Sequence, residues 1–301
     1  MDHNPSISVV IATHNRSAFL RETLESILAQ RFRDYEIILV DDGSTDDTRQ
    51  MIASYGDKVR YFYQNNSGPA AARNLGVRQA RAPWVAFQDS DDLSTPDHLQ
   101  VLHDYVEARP ECAMVFANGV YLGGREHGRE TIIPAKKSRR LAAEGVCLND
   151  LFEKSIARLQ AALISKAAYG AAGGMNESLR VCHDLDLFLR LGAKFPVAYL
   201  DRVVFRYRKH EGNITRDEEV RLTENIKVIE NLIRDFPAVS KVLGHRRVAR
   251  RTGYRYYRLA KGRWTRHQCD EARSALRAAI ALRPYALKYR YYQLRWNHSE
   301  S

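Results

Sequence analysis

Along its first 110 residues the chain alternates short apolar runs with segments whose apolar residues recur every three or four positions. The apolar runs predict four strands, at Ile7–Ala12, Tyr35–Val40, Val59–Gln64 and Pro83–Phe87. The periodic segments predict four helices, at Ser17–Gln30, Asp46–Tyr55, Pro69–Arg81 and Pro96–Ala108. Strands that alternate with helices of this length are typical of an α/β fold, in which helices cover both faces of a mainly parallel sheet.

The pattern is less regular after residue 110. It predicts strands at Cys112–Leu122, Gln160–Ile164, Pro196–Tyr199 and Val203–Tyr207, and short helices at Leu148–Lys154 and Leu185–Leu191. Arg125–Gly145 is polar and basic, and we expect a mobile loop there. From Asp217 onward the pattern predicts only helices. We therefore expect one domain of residues 1–215, with halves 1–110 and 111–215, followed by a basic helical region of residues 216–301.

Polar clusters follow three of the predicted strands, at Thr13-His14-Asn15, Asp41-Asp42-Gly43-Ser44 and Asp89-Ser90-Asp91-Asp92. Parallel α/β sheets bind ligands beyond the carboxyl ends of their strands, so these clusters mark a candidate site. Three carboxylates at the end of an apolar strand are costly to bury without counter-charge, which a divalent cation with phosphate oxygens would supply. The alternative is an acidic turn that caps the helix beginning at Pro96.

Other polar residues have a functional and a structural interpretation. Asp41 and Asp42 could accept hydrogen bonds from a nucleotide base or ribose, or could simply form a tight turn. Arg73 could contact a phosphate or a carboxylate, or be an exposed helix arginine. Asp184 could be a reactive carboxylate or a helix cap. His210, whose basic neighbours suit a diphosphate, could be a ligand or a structural histidine.

Several protein classes are disfavoured. No glycine-rich phosphate loop follows the first predicted strand, which argues against dinucleotide dehydrogenases and P-loop nucleotidases. No apolar run approaches the ~20 residues that span a bilayer, and the N-terminus lacks the basic segment of a signal peptide. The cysteines form no CxxC pair and predict reduced cytosolic thiols rather than a disulfide frame or a zinc site. We expect a cytoplasmic protein.

The net charge of +11 is concentrated near the C-terminus. Residues 241–301 contain 16 Lys and Arg but only three Asp and Glu, so the rest of the chain is close to neutral. Basic residues interleave there with tyrosines and tryptophans, which suits an anionic membrane surface, here the inner face of the cell membrane. Because no nucleic-acid-binding module accompanies them, we expect no nucleic acid partner. The alternative is a helical bundle with a solvated basic face.

Four segments carry a family resemblance: Ser8–Arg16, Val40–Asp46, Gly68–Asn74, and Gln88–Asp92 with Pro96 beyond. In order and spacing they resemble the family 2 glycosyltransferases, which have the GT-A (Rossmann-like) fold. A weaker similarity continues through Gly173–Leu179 to His183-Asp184. The family usually has Glu-Asp at this last pair, so histidine replaces the glutamate while the aspartate is kept.

The resemblance implies an inverting transfer of a sugar from a nucleoside diphosphate sugar to an acceptor hydroxyl. Residues 1–110 would be the nucleotide-binding half and 111–215 the acceptor half, with Asp184 as catalytic base. Mg²⁺ or Mn²⁺ would be held by Asp91, with Asp89 and His210 as further ligands, and would neutralise the diphosphate leaving group. The implied nucleotide-binding residues are Thr13, Asn15, Asp41, Asp42, Arg73 and Asp89.

The implied role is synthesis of a bacterial-type cell-surface polysaccharide or glycolipid, with a glycan or lipid-linked acceptor. One alternative is a nucleotidyltransferase that makes nucleotide sugars on a similar sheet, although the first loop, Thr13–Arg16, lacks the glycines that would hold a triphosphate. Another is a catalytically silent scaffold protein, against which the retained acids argue.

Overall fold

The structure, a computed structural model, describes residues 4–123, 130–154, 156–210 and 217–297. The chain forms two compact units, residues 1–212 and 213–301. The domain boundary predicted between residues 215 and 216 lies outside the described residues. Within the described ranges, every helix is too short or too polar to cross a membrane.

The first half of the first unit contains the predicted alternation. Its strands are β1 (Ile7–Thr13), β2 (Tyr35–Asp42), β3 (Arg60–Gln64), β4 (Trp84–Asp89) and the two-residue β5 (Leu93–Ser94). Its helices are α1 (Ser17–Leu28), α2 (Thr48–Ala53), α3 (Pro69–Gln79) and α4 (His98–Glu107). Helix α1 buries Leu20, Leu24 and Ile27, whose spacing predicts a single apolar face.

The second half of the unit is more irregular. Its strands are β6 (Met114–Leu122), β7 (Ala162–Ser165) and β8 (Val197–Arg208). Its helices are α5 (Ala135–Glu144), α6 (Leu148–Lys154), α7 (Lys166–Ala171) and α8 (His183–Lys194).

The eight strands form one sheet in the order β3-β2-β1-β4-β7-β6-β8-β5. Strands β3, β2, β1 and β4 run parallel, and β6 runs parallel to β8, whereas β7 is antiparallel to both β4 and β6. Almost every residue of β1 and most of β2 are buried because helices cover both faces of this part of the sheet. The predicted α/β fold with a mainly parallel sheet is confirmed.

The mobile loop expected over Arg125–Gly145 is wrong for its C-terminal part, which forms α5. Pro134 stands immediately before this helix, and Gly145, with a φ of 79°, ends it. Leu141 is buried on a helix that is otherwise largely charged. The apolar face is therefore so narrow that the segment resembles a polar loop. Residues 124–129 lie outside the described ranges.

The two late strands expected at Pro196–Tyr199 and Val203–Tyr207 are one strand, β8, of 12 residues. It pairs with β6, and the register shifts on either side of Asn118. Three residues of β8, between Tyr199 and Val203, fall at this irregularity, and two of them are the exposed Asp201 and Arg202. This polar bulge interrupts the apolar pattern without ending the strand.

Helices are the only regular elements among the described residues of the second unit, which confirms the predicted C-terminal helical region. Its helices are α9 (Glu218–Asp235), α10 (Pro237–Leu243), α11 (His245–Thr265), α12 (Cys269–Leu282) and α13 (Leu287–Asn297). Tyr257, Leu276 and Trp296 belong to its core, and the Trp264 and Trp296 rings stack with centroids 4.4 Å apart. Part of the aromatic content of the tail therefore packs internally.

Candidate active site

The carboxyl ends of three neighbouring strands meet at one edge of the sheet. Thr13, at the end of β1, pairs in register with Asp41 on β2, and Ala12 pairs with Asp89 on β4. The polar clusters predicted after these strands therefore lie side by side, where α/β sheets bind their ligands.

The acidic residues at and after the end of β4 form a compact cluster, which we call the acid group. Asp89, Asp91 and Asp92 each offer a carboxylate oxygen, and these oxygens lie within 4.8 Å of one another. Gln160, just before β7, donates from Nε2 to Asp89 Oδ2 at 3.0 Å and to Asp92 Oδ2 at 2.5 Å. A side chain 68 and 71 residues further along the chain, in the turn before β7, thus holds two of the acids in place.

The end of β8 contacts the same group. The backbone N–H of Arg208 donates to Asp92 Oδ1 at 2.8 Å, and its Nε donates to the Asp91 carbonyl at 3.0 Å. His210 Nε2 lies 2.9 Å from Asp91 Oδ2, and its ring stacks on Phe19 with centroids 4.8 Å apart. The structure thus brings together all three residues predicted to hold a metal, since Asp89 and His210 both flank Asp91.

Burial and mutual repulsion disfavour the ionised forms of the crowded acids. Burial raises the pKa of Asp89; Arg73 opposes this shift, and the charges of Asp91 and Asp184 add to it. Burial and the charge of Asp89 raise the pKa of Asp92 well above its usual range. A divalent cation would relieve both the burial penalty and the repulsion.

The donor atoms fit a hard divalent cation. Carboxylate oxygens are the ligands that Mg²⁺ and Mn²⁺ prefer, and an imidazole nitrogen is also a transition-metal ligand. Asp89, Asp91 and His210 are therefore residues that could hold such an ion. Asp92 was not predicted as a ligand; like Asp89, it accepts hydrogen bonds from the protein at both of its oxygens.

Arg73 is buried near the start of α3 and connects two parts of the site. Its Nη2 donates to Asp89 Oδ1 at 2.6 Å, and its Nη1 donates to His183 Nε2 at 2.8 Å. Because a guanidinium can only donate, His183 accepts through Nε2, carries its proton on Nδ1 and is neutral. The residue that replaces the expected glutamate is thus a neutral acceptor for Arg73.

Two carboxylates in the first turn of α8 have different surroundings. Asp184 is half-buried, and its Oδ1 accepts from the backbone N–H of Leu185 at 2.7 Å. Asp186 is buried and pairs with Arg190, which also donates to two backbone carbonyls of the preceding turn. Asp186 therefore stabilises the fold, whereas Asp184 lies close enough to Asp89 to raise its pKa.

Both carboxylates at the end of β2 are buried and hydrogen-bonded. Asp41 accepts from the backbone N–H of Ser44 and from the Tyr61 hydroxyl, each at 2.8 Å. Asp42 accepts three hydrogen bonds, of 2.7, 2.8 and 2.9 Å, from the end of β3 and the loop before α3. The two acids fix the loops at this edge of the sheet.

Thr13 and Asn15 follow β1. The Thr13 hydroxyl is buried and has no hydrogen-bond partner among the described residues, which is costly unless a ligand supplies one. Asn15 has a φ of 51°, and its Oδ1 accepts from the backbone N–H groups of Thr45 and Asp46 at 2.7 and 3.3 Å. Its side chain holds the loop that follows β2.

Gln160 was not predicted as a site residue. The only sequence signal is its position at the start of an apolar strand, since a polar amide there needs a buried partner. Arg208 belongs to the basic segment that was singled out, but its backbone contact with Asp92 has no sequence signal.

A mainly parallel sheet with an acidic group at its carboxyl edge, flanked by Arg73 and a separate carboxylate on α8, is the arrangement expected from the resemblance to glycosyltransferases of the GT-A fold. Residues 8–178 match the family model described as Glycosyl transferase family 2. The chain belongs to this family.

Relatives identified by sequence include other glycosyltransferases. An uncharacterized glycosyltransferase of Rickettsia felis is 38% identical over 42% of this chain and 21% of that protein, so the chain spans about a fifth of this relative. An uncharacterized glycosyltransferase of Rickettsia typhi is 27% identical over 71% of this chain and 67% of that protein. Chondroitin synthase of Escherichia coli is 27% identical over 75% of this chain and 32% of that protein.

Solved structures share the fold. TarS of S. aureus in complex with UDP-GlcNAc has a TM-score of 0.68, 20% identity, and a match over 92% of this chain and 81% of that chain. Mannosyltransferase PcManGT of Pyrobaculum calidifontis, in complex with GDP-Man and Mn²⁺, has a TM-score of 0.64 at 18% identity, over 98% of this chain and 85% of that chain. At these identities the similarity establishes the fold alone.

Proposed function

We propose that this protein is an inverting glycosyltransferase that moves a sugar from a nucleoside diphosphate sugar to an acceptor hydroxyl. One observation carries the proposal: Arg73 links the acid group, through Asp89, to the start of α8, where Asp184 remains outside the ion pair made by Asp186. Charge neutralisation and proton removal, the two needs of the reaction, would thus fall to separate groups at one edge of the sheet.

The donor nucleotide would lie along the ends of β1, β2 and β4. The nucleotide-binding residues of this proposal are Thr13, Asn15, Asp41, Asp42, Arg73 and Asp89. A ribose or base would provide the partner that the Thr13 hydroxyl lacks within the described residues. Asp41 and Asp42 would use the lone pairs left over from their internal hydrogen bonds, because an ionised carboxylate offers about four acceptor positions.

The diphosphate would lie against the acid group through a divalent cation, with Asp91, Asp89 and His210 as its ligands. When bound, Mg²⁺ or Mn²⁺ would supply Lewis-acid neutralisation of the leaving group. The clustered oxygens and the elevated pKa of Asp89 support this assignment, as does the Mn²⁺ in the structurally similar mannosyltransferase.

Asp184 would accept the proton of the acceptor hydroxyl as that oxygen attacks the anomeric carbon. Attack opposite the leaving group inverts the anomeric centre. A second carboxyl acting as acid is not needed, because a neutralised diphosphate leaves without a proton, unlike the leaving group in sugar hydrolysis. The half-buried Asp184 is accessible to an acceptor, whereas Asp186 is engaged by Arg190.

The acceptor would be a glycan or lipid-linked glycan in the synthesis of a cell-surface polysaccharide or glycolipid. The relative named chondroitin synthase supports a polysaccharide product. A screen of the purified protein against UDP-, GDP- and dTDP-sugars with Mn²⁺ tests the activity, scored by nucleoside diphosphate release. Release of pyrophosphate from a nucleoside triphosphate would indicate the nucleotidyltransferase alternative, and no release from any donor the scaffold alternative.

We also propose that the second unit docks peripherally on an anionic membrane. Large apolar side chains are exposed on and before α13: Tyr285 is 94% exposed, Leu287 85%, Leu294 63% and Tyr291 58%. Basic residues lie among them, and residues 282–297 contain no acid. Exposed apolar groups beside cations suit the headgroup layer of an anionic bilayer.

Cosedimentation with anionic and neutral vesicles at low and high salt tests the docking. Binding should require anionic lipid and weaken with salt, because counter-ions screen the attraction. Leu287→Ser with Leu294→Ser should reduce it, whereas Tyr63→Ser, at an exposed site in the first unit, should not. Failure to bind either vesicle type would favour a water-soluble acceptor.

A further inference from the structure

The second unit contains a cavity of about 420 Å³ that plays no part in the proposed transfer. Its lining is contributed by α9, α11 and α13, and includes Glu218, Tyr257, Arg258, Lys261, Gly262 and Lys288. We call it the basic cavity. All of these residues belong to one compact unit, so the cavity is a feature of that unit by itself.

The charge of the basic cavity is unbalanced. Glu218 pairs with Arg258 and also lies 3.6 Å from the guanidinium of Arg221. Neither Lys261 nor Lys288 has a carboxylate partner among the described residues. Two cations on the wall therefore remain without a neutralising anion, and an anionic ligand would find them already in place.

The two lysines are held in position by aromatic rings. Lys288 Nζ lies 5.0 Å from the ring centroid of Tyr257, and Lys261 Nζ lies 5.4 Å from that of Tyr292. These rings pack against each other, with centroids 5.6 Å apart. An ammonium group has three N–H donors, so Lys288, and Lys261 beside its hydrogen bond with the Tyr292 hydroxyl, can still donate to an anion.

Gly262 gives independent support for a ligand in the basic cavity. It lies inside the 21-residue α11, where glycine costs roughly 1 kcal/mol relative to alanine. Packing does not require it, because a Cβ at this position would meet only the tip of the Arg266 side chain, at 3.6 Å. What the glycine does provide is open space in the wall of the basic cavity.

We propose that the basic cavity binds a phosphate-bearing group. Lysine ammonium groups bind phosphate as point charges, and a phosphate accepts several charge-assisted hydrogen bonds at once. The group could be the headgroup of a lipid or a soluble phosphate. The proposal is independent of sugar transfer, and it goes beyond membrane docking because it requires a discrete site rather than diffuse attraction.

Calorimetric titration of the full chain with inorganic phosphate, at constant ionic strength and without divalent metal, tests the site in solution. The variant Lys261→Gln/Lys288→Gln should lower phosphate affinity by about tenfold for each lysine. The control Arg246→Gln/Arg277→Gln removes the same charge from exposed positions of the same unit and should leave affinity unchanged. Equal weakening by both variants would overturn the proposal in favour of diffuse surface charge.

Vesicles distinguish the source of the phosphate. Two kinds of phosphatidylcholine vesicle, one carrying phosphatidate and one carrying oleate, are matched in surface potential. If the basic cavity takes a phosphate headgroup, the wild type should bind the phosphatidate vesicles more strongly than the oleate vesicles. The lysine variant should lose that preference but keep the weaker binding to oleate vesicles. Binding of inorganic phosphate with no phosphatidate preference would assign the site to a soluble phosphate. The absence of both inorganic phosphate binding and a phosphatidate preference would refute the site, even if general membrane docking holds.

A third variant fills the basic cavity without changing the lysines, and so separates loss of the site from loss of stability. Gly262→Leu should raise the thermal stability of the second unit, because leucine is a far better helix former than glycine. It should also weaken phosphate binding by filling the wall of the basic cavity. Undiminished binding by this more stable variant would contradict the proposed site.

Discussion

At the scale of single residues, the negative charge of the acid group is only partly balanced by cationic side chains. Arg73 partly neutralises Asp89, and His210 lies against Asp91. The pKa values of Asp89 and Asp92 nevertheless remain raised, first by burial and then by neighbouring acids. The protein therefore supplies less positive charge here than the carboxylates need, and a bound divalent ion would provide the rest.

Asp91→Asn should lower the transfer rate by at least about 100-fold, because Lewis-acid stabilisation is worth several kcal/mol. The melting temperature should change little, since the substitution removes a charge and no packing volume. Initial rates with excess Mn²⁺ measure the effect, and Asp57→Asn, at an exposed site, is the matched control. Full wild-type activity in excess EDTA would contradict the metal assignment.

Asp184→Asn and Asp186→Asn should separate chemistry from stability. Loss of the base in Asp184→Asn should reduce kcat by about 10²–10⁴-fold while donor affinity and melting temperature are kept. Asp186→Asn should instead lower the free energy of unfolding by about 1–3 kcal/mol, because it weakens the buried contact with Arg190. Single-turnover rates and urea titrations of both variants measure this, and the reverse pattern would identify Asp186 as the base.

The sequence predicts which residues approach the site better than it predicts their partners. Thr13, Asp41 and Asp89 could be placed together because each ends a strand of a parallel sheet. The amide of Gln160 could not, because it reaches Asp89 across 71 residues of chain. The neutral state of His183 could not be predicted from the sequence either, since it follows from a single contact with Arg73.

At the scale of elements, prediction succeeded where one periodicity continued without interruption. Helix α1 and strand β1 bury the residues that their spacing indicates. Prediction from the sequence failed for α5, whose buried face is narrow, and for β8, whose polar bulge resembles a turn in sequence. Both failures lie in the second half of the first unit, where tertiary contacts rather than local pattern determine the element.

The pairing of β6 with β8 depends on a close approach at Gly119. A Cβ there would lie 2.2 Å from Cε1 of Phe205, which pairs with Gly119 in register. Gly119→Ala should therefore destabilise the protein by about 1–3 kcal/mol through overpacking. Gly170→Ala, in α7 with nothing within 4 Å of the added Cβ, should be neutral or slightly stabilising. Urea unfolding of the two variants checks this, and equal stabilities would contradict it.

At the scale of the whole molecule, the two kinds of charge occupy different parts of the chain. The first unit gathers carboxylates at its candidate active site, whereas the second unit holds most of the excess cations. Each unit thus offers a different chemistry, the first to a divalent cation and the second to anions.

Mn²⁺ should raise the melting temperature most at neutral pH. The folded pKa values of Asp89 and Asp92 lie above their unfolded values, so ionisation of these groups lowers stability as the pH rises through that interval. A bound cation offsets this loss by about 2.7 kcal/mol at 100 times its dissociation constant, and protons compete with it in acid. Scanning calorimetry with and without Mn²⁺ at neutral and mildly acidic pH measures the shift. The same shift in Asp91→Asn would place the ion elsewhere.

The contact between Asp92 and the backbone of Arg208 joins positions 116 residues apart, and it has a consequence for biosynthesis. A nascent chain that has emerged only as far as Asp92 carries the acids but has neither Gln160 nor Arg208 to hold two of them. During synthesis on the ribosome the acid group therefore stays incomplete until β8 has left the exit tunnel. Until then a cation would meet loosely tethered carboxylates, so tight metal binding should be among the last properties that the growing chain acquires.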